Sequence, residues 1–197
     1  DRLEAACAHP NSKVLLLCSP HNPLARVFER AELDRLADIV TRHDLLVCSD
    51  EIHCDLLLDP QARHIPFASL SEEIARRTIT LMAASKTYNV AGLACGFAIV
   101  PDPALRARYR RLLQGLALDQ NLFGLTATRA AFDHGEPWRA ACVDYLRGNL
   151  ELIEAELRTM PGLVLRQRPQ SSFLAWLDAS ALGYEDPHVA FEQGGVG

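Results

Sequence analysis

Lysine is almost missing from this chain. Of twenty cationic side chains in 197 residues, only Lys13 and Lys86 are lysines, and the other eighteen are arginines. A guanidinium keeps a protein charged and soluble but cannot serve as a Schiff-base amine, so any chemistry that needs a free amine falls on two positions. A basic block or stripe is missing too. The net charge is −5, and acidic and basic residues alternate along the helical stretches as on an ordinary solvated face. Nucleic acid is therefore not expected as the main partner, because phosphate binding needs clustered cations. No apolar run reaches the roughly 20 residues of a membrane helix, and no basic-then-apolar signal segment opens the chain. The six cysteines, at positions 7, 18, 48, 54, 95 and 142, include no Cys-x-x-Cys pair. Cys18, Cys48 and Cys95 sit in apolar runs as small hydrophobes, and a reduced, cytoplasmic compartment is expected rather than a disulfide scaffold.

What is present is globular. Hydrophobic residues make up 49% of the chain, and its length suits one good-sized core or one domain and part of a second. Val14–Cys18 predicts a buried strand, followed by Pro20-His21-Asn22-Pro23, a loop that its two prolines should hold extended. Between Glu29 and His43 the apolar residues recur at helical spacing. Leu45–Ser49 predicts a second strand ending at Asp50-Glu51, Ser71 a short helix, Thr78–Met82 a third strand, Cys95–Val100 a fourth and Pro103–Leu118 a helix. Strand, helix, strand at this spacing describes βαβ units, hence an α/β fold with a parallel-rich sheet flanked by helices. Chemistry is then expected in the loops at the strands' carboxyl ends. Asn22, Asp50 and Lys86 all fall there. Beyond Asn121 the texture changes to helices over Leu122–His134 and Trp138–Met160, then strands over Leu163–Arg166 and Ser172–Leu177. Residues 1–134 read as part of a large domain, and residues 135–197 as a long interdomain helix with the start of a smaller α+β domain.

Each candidate residue carries more than one reading. Lys86, within Ser85-Lys86-Thr87-Tyr88-Asn89, is either a solvated lysine or an amine able to form an imine with an aldehyde cofactor. Asp50 either caps the next element or holds a pyridinium nitrogen protonated. Its hydrophobic strand also resembles the magnesium-holding strand of P-loop ATPases, but no GxxxxGK[ST] loop accompanies it. His53, Cys54, Asp55 and His64 match no standard zinc spacing, so no metal is expected. Asn22 is either a turn residue or an amide donor to a phenolate oxygen.

Taken in series, Pro20-His21-Asn22-Pro23, Ser49-Asp50-Glu51-Ile52-His53 and Ser85-Lys86-Thr87-Tyr88-Asn89 resemble the class I/II aminotransferases of pyridoxal 5′-phosphate (PLP) fold type I. The intervals from Asn22 to Asp50 and from Asp50 to Lys86 are also those of that superfamily. Asp50-Glu51-Ile52-His53 and His64-Ile65-Pro66-Phe67-Ala68-Ser69-Leu70 are similar to its MalY/PatB group of cystathionine β-lyases or cysteine-S-conjugate β-lyases. The resemblance runs over essentially the whole chain.

The resemblance implies PLP as cofactor, with Lys86 as the Schiff-base lysine and the base for the α-proton. It implies Asp50 at the pyridine nitrogen, Asn22 at the ring oxygen, His53 near that oxygen where many relatives have a tyrosine, and Ser85 at the phosphate. It further implies a carbon–sulfur β-lyase that releases pyruvate, ammonia and a thiol from cystathionine or another cysteine S-conjugate, working as a homodimer. An aminotransferase, or a non-catalytic regulatory relative, is the alternative. Two positions depart from the family pattern: Asn22-Pro23-Leu24-Ala25 replaces the usual Asn-Pro-Thr-Gly, and Ala83 stands where many relatives place a phosphate-binding serine. The family's amino-terminal stacking ring and carboxyl-terminal arginine are not in this chain, which is expected to be a fragment that binds PLP weakly, if at all, and shows no β-elimination alone.

Overall fold

A computed structural model describes residues 2–116 and 120–196. Its centre is a four-stranded sheet in the order β1 (Val14–Cys18), β2 (Leu46–Asp50), β3 (Thr78–Met82) and β4 (Phe97–Ile99). The first three strands run parallel, with Leu17 opposite Ser49 and Ser49 opposite Thr80. β4 runs antiparallel to β3, against the βαβ expectation for that strand. The reason lies in the connection. Only turns and a 3-10 turn at Ala91–Leu93 join the two strands, whereas a parallel return needs a longer crossover, usually a helix.

Side chains two apart in a strand share a face. Leu17 and Val47 point to the side where Leu33, Ile39 and Val40 of helix α2 (Arg30–Arg42) pack, together with Leu45, Phe67 and Ile74. Helix α2 forms where its apolar residues recur three and four apart, and Glu32 Oε2 accepts from Glu29 N at 2.9 Å to close its start. A short helix α1 (Arg2–Cys7), which periodicity did not reveal, lays Cys7 on the same core. Helix α3 (Glu72–Arg76) begins where Ser71 Oγ accepts from Ile74 N, as its sequence predicts.

Helix α4 (Pro103–Leu113) starts at an Asp102 cap with proline in its first turn. It ends at Leu113, ahead of the predicted Leu118, which lies outside the described residues. Helices α5 (Leu122–His134) and α6 (Glu136–Leu157) follow, and α6 packs Val143 and Leu150 against Leu56 and Leu58. The predicted strands Leu163–Arg166 and Ser172–Leu177 shrink to a two-residue pair, β5 (Val164–Leu165) and β6 (Leu177–Asp178). Residues 171–172 leave the extended course because their backbone is engaged elsewhere: Ser172 N donates to Leu56 O and Ser172 takes φ of 69°. Helix α7 (Pro187–Gln193) completes the described chain, capped by Asp186. No helix among the described residues is long and apolar enough to cross a membrane.

Candidate functional site

Three adjacent parallel strands end on one edge, and each delivers a loop to it. Cys18 and Asp50 are register partners at the ends of β1 and β2, and Asp50 is paired in turn with Leu81 of β3. Asn22 follows β1 in a turn closed by a bridge from His21 to Arg26, with both Ser19-Pro20 and Asn22-Pro23 cis. The loop is thus tightly folded rather than extended as expected. Asn22 N donates to Cys18 Sγ at 3.4 Å, which holds this turn beside Asp50, while the asparagine itself stays exposed.

Asp50 is the last residue of β2 rather than the first beyond it, and it is half-buried. Its Oδ1 accepts from Ile52 N at 3.2 Å within the turn that follows the strand, where no helix begins for it to cap. Asp50 also lines an open cavity of about 650 Å³ with Leu81, Met82 and Ala83 on one wall and Arg106, Tyr109 and Arg110 of α4 on another. Lys86 sits in the turn after β3, half-buried, and the other lysine, Lys13, is exposed. Ser85 shares that turn, its carbonyl accepting from Val90 N at 3.2 Å. Tyr88, two residues on, wedges the turn against Phe132 and Trp138 at 5.8 and 6.2 Å between ring centroids.

His53 stands in the loop that follows β2. It is buried, with 2% of its surface exposed. Burial holds its pKa below the ordinary imidazole value; the Asp50 charge opposes that shift and the Lys86 charge adds to it. Both charged candidates therefore act on one ring. Its edge meets Phe173 at 5.6 Å, and Nδ1 lies 3.1 Å from Ser172 Oγ. Nε2 is buried without a partner among the described residues.

The zinc alternative is not assembled. His53 Nδ1 faces Ser172, His64 Nε2 faces Glu51, and no group of three potential ligands is gathered among the described residues.

Sequence reasoning missed the segment that binds the loops together. Gln170 N and Ser171 N both donate to Ala25 O, Gln170 O accepts from Leu58 N and Asp59 N, and Ser171 Oγ donates to His53 O at 3.2 Å. Residues 170–172 thus pin the β1 loop to the β2 loop from 118 positions away. A signal was present: two adjacent serines open an otherwise apolar run, and buried hydroxyls need partners.

Against known proteins, residues 1–191 match the family model described as aminotransferase class I and II. The chain belongs to that family. Among its relatives is the cystathionine beta-lyase PatB of Bacillus subtilis, 40% identical over 188 residues, which cover 95% of this chain and 48% of that protein. Among solved structures, OvoB superposes with a TM-score of 0.92 at 49% identity, over 95% of this chain and 49% of that one. Cystalysin from Treponema denticola, whose crystal contains a pyridoxal 5′-phosphate cofactor, superposes with a TM-score of 0.87 at 31% identity, over 98% of this chain and 48% of that one. The chain thus spans about half the length of the curated relatives it matches. Family membership accords with the expected α/β fold, and the mostly parallel sheet flanked by helices is the shared part.

Proposed function

We propose that this chain is the cofactor-holding central part of a PLP-dependent enzyme that cleaves a carbon–sulfur bond in cystathionine or another cysteine S-conjugate. The supporting observation is the convergence of three loops from three adjacent strand ends, which brings Asn22, Asp50 and Lys86 to one edge with His53 in the field of the latter two. The residues suit the group. Each loop also buries a polar atom without a partner among the described residues, namely His21 Nδ1, His53 Nε2 and Thr87 Oγ1. Buried polar atoms are as a rule hydrogen-bonded, so a polar ligand at this edge answers an existing demand.

When bound, PLP supplies an aldehyde that condenses with amines and a pyridine ring that accepts electron density from Cα. Lys86 would anchor it through its amine and, once freed by the substrate's own amine, take the Cα proton. Asp50 would keep the ring nitrogen protonated, Asn22 would donate its amide N–H to the ring oxygen, and His53 would stand near that oxygen. Ser85 would donate to the phosphate. Departure of the thiolate from Cβ, with one water consumed, yields pyruvate, ammonium and the thiol. Relatives named as cystathionine beta-lyases support this reading over transamination. The family description favours the alternative, and the two reactions part only after the Cα proton has left.

In this reading residues 1–134 belong to the PLP-binding large domain, and residues 135–197 supply the interdomain helix and the start of the small domain. The enzyme would work as a cytoplasmic homodimer, in keeping with six cysteines that are all free thiols. Borohydride reduction of the chain with saturating PLP, followed by peptide mapping, tests the anchor: the label is expected on Lys86 and not on Lys13. Label on Lys13 instead refutes the assignment. In a version extended to the length of its relatives, cystathionine should release pyruvate and thiol without an added keto acid. Strict dependence on a keto acid would mark an aminotransferase, and no turnover with bound cofactor would mark a non-catalytic relative.

A further inference from the structure

The environment of His53 asks for more than a ring near the cofactor. Ser172 is 1% exposed, and its hydroxyl has a single hydrogen-bond partner among the described residues, Nδ1 of His53 at 3.1 Å. On the other side of the ring, Nε2 is buried and unpartnered. A neutral imidazole carries one proton, and the two placements differ in what they leave unsatisfied. With the proton on Nδ1, that N–H donates to Ser172 Oγ, and the serine's own proton then has no acceptor in a closed site. With the proton on Nε2, the serine donates to Nδ1 and nothing on that side is left over. Burial and the Lys86 charge both disfavour the charged ring, and the Asp50 charge opposes them.

We infer that Ser172 is a positioning residue whose hydroxyl donates to Nδ1 of His53 and thereby holds the ring proton on Nε2. His53 then presents a neutral N–H donor to an oxygen of the bound PLP, not a base to its substrate. This donor role rests on the PLP reading above. The backbone supports a dedicated function. Ser172 holds φ of 69°, a conformation that suits glycine, yet the position carries a hydroxyl. Ser171 secures the same histidine from the backbone side, through His53 O, so ring and main chain are both gripped by one dipeptide. The device also ties the loop after β2 to the segment that joins β5 to β6.

Long-range proton–nitrogen NMR on the nitrogen-15-labelled 197-residue chain decides the tautomer before any cofactor is added. The expected result is a protonated Nε2 and a bare, hydrogen-bonded Nδ1 at His53. Ser172→Gly, which relieves the positive φ while deleting the hydroxyl, should convert this into a mixture or into the Nδ1–H form, and Ser172→Ala should do the same. Protonated Nδ1 in the unmodified chain overturns the inference, even if neither variant folds. So does an Nε2–H form that both variants retain. On loading with PLP, the Nε2–H resonance should shift where borohydride marks Lys86. Label at Lys86 without that shift overturns the donor role, whereas label at Lys13 in place of Lys86 is a failure of the PLP reading itself.

Discussion

The carboxylate of Glu51 lies 2.7 Å from Nε2 of His64, thirteen positions further along, and is almost closed to solvent. The same carboxylate accepts from Ser49 Oγ at 2.8 Å and from Phe67 N at 3.0 Å. Glu51 therefore staples the residue after Asp50 to the start of the 3-10 turn at Phe67–Ser69. Removing it strands a buried hydroxyl, a buried N–H and a histidine together. Glu51→Ala should cost about 3 kcal/mol in chemical denaturation, and Glu51→Gln, which keeps an acceptor for Phe67 N, distinctly less. Equal losses in the two variants would show that the charge, not the acceptor geometry, holds the turn.

Gly135 joins α5 to α6 hard against the lysine turn. A Cβ there would lie 2.5 Å from Tyr88 Cε1 and would also press on Ala131 O. Tyr88 follows Lys86 by two residues and is packed between Phe132 and Trp138. Gly135→Ala should therefore destabilise the chain by roughly 1–3 kcal/mol and reduce borohydride labelling of Lys86. A stability loss with labelling intact would mean that Tyr88 yields without moving the lysine.

Burial pushes the Cys54 thiol up to about 12, with Asp55 and Glu51 adding repulsion. At pH 8 only about one molecule in ten thousand then carries the reactive thiolate at this position. Iodoacetamide treatment with peptide mapping should modify half-buried Cys142 well before Cys54. Comparable rates at the two would show that the loop after β2 opens readily.

The four strands of the central sheet were legible because each is a short apolar run bounded by turn residues, and with them the placing of Asn22, Asp50 and Lys86 at strand ends, where open α/β sheets collect their ligands. The direction of β4 was not, since a run of apolar residues does not announce which way it enters a sheet. Glu51 was passed over beside Asp50 because its partners, His64 and Phe67, come from a loop with no periodicity. The grip of Ser171 and Ser172 on His53 was the least legible, because the paired serines signal buried hydroxyls but not the partner that lies 118 and 119 positions away.

Asp50 offers the sharpest chemical test of the site. In a version extended to the length of its relatives, Asp50→Asn should retain cofactor, since the proposed anchor at Lys86 and the other proposed contacts would remain. Turnover should fall by several orders of magnitude, because a charge placed where electron density develops is worth several kcal/mol, and each 1.36 kcal/mol is about tenfold in rate. Near-normal turnover in this variant would remove Asp50 from the chemistry and leave it as the partner of Ile52 N.

Strand β1 stands at the edge of the four-stranded sheet, with Val14 51% and Leu16 78% exposed on one face while Leu17 on the other is 7% exposed. An edge strand with exposed apolar side chains offers both unpaired backbone groups and greasy surface to another chain. The 197-residue chain should therefore associate as its concentration rises, which sedimentation velocity measures directly. Leu16→Lys should suppress that association and change stability by no more than about 0.5 kcal/mol, as surface substitutions usually do. Leu17→Lys, one residue along, should instead unfold the chain, because it places an unpaired charge in the core formed by Leu33, Val40 and Val47. If the two lysine variants were equally destabilised, Leu16 would be packed rather than exposed, and the association would need another face.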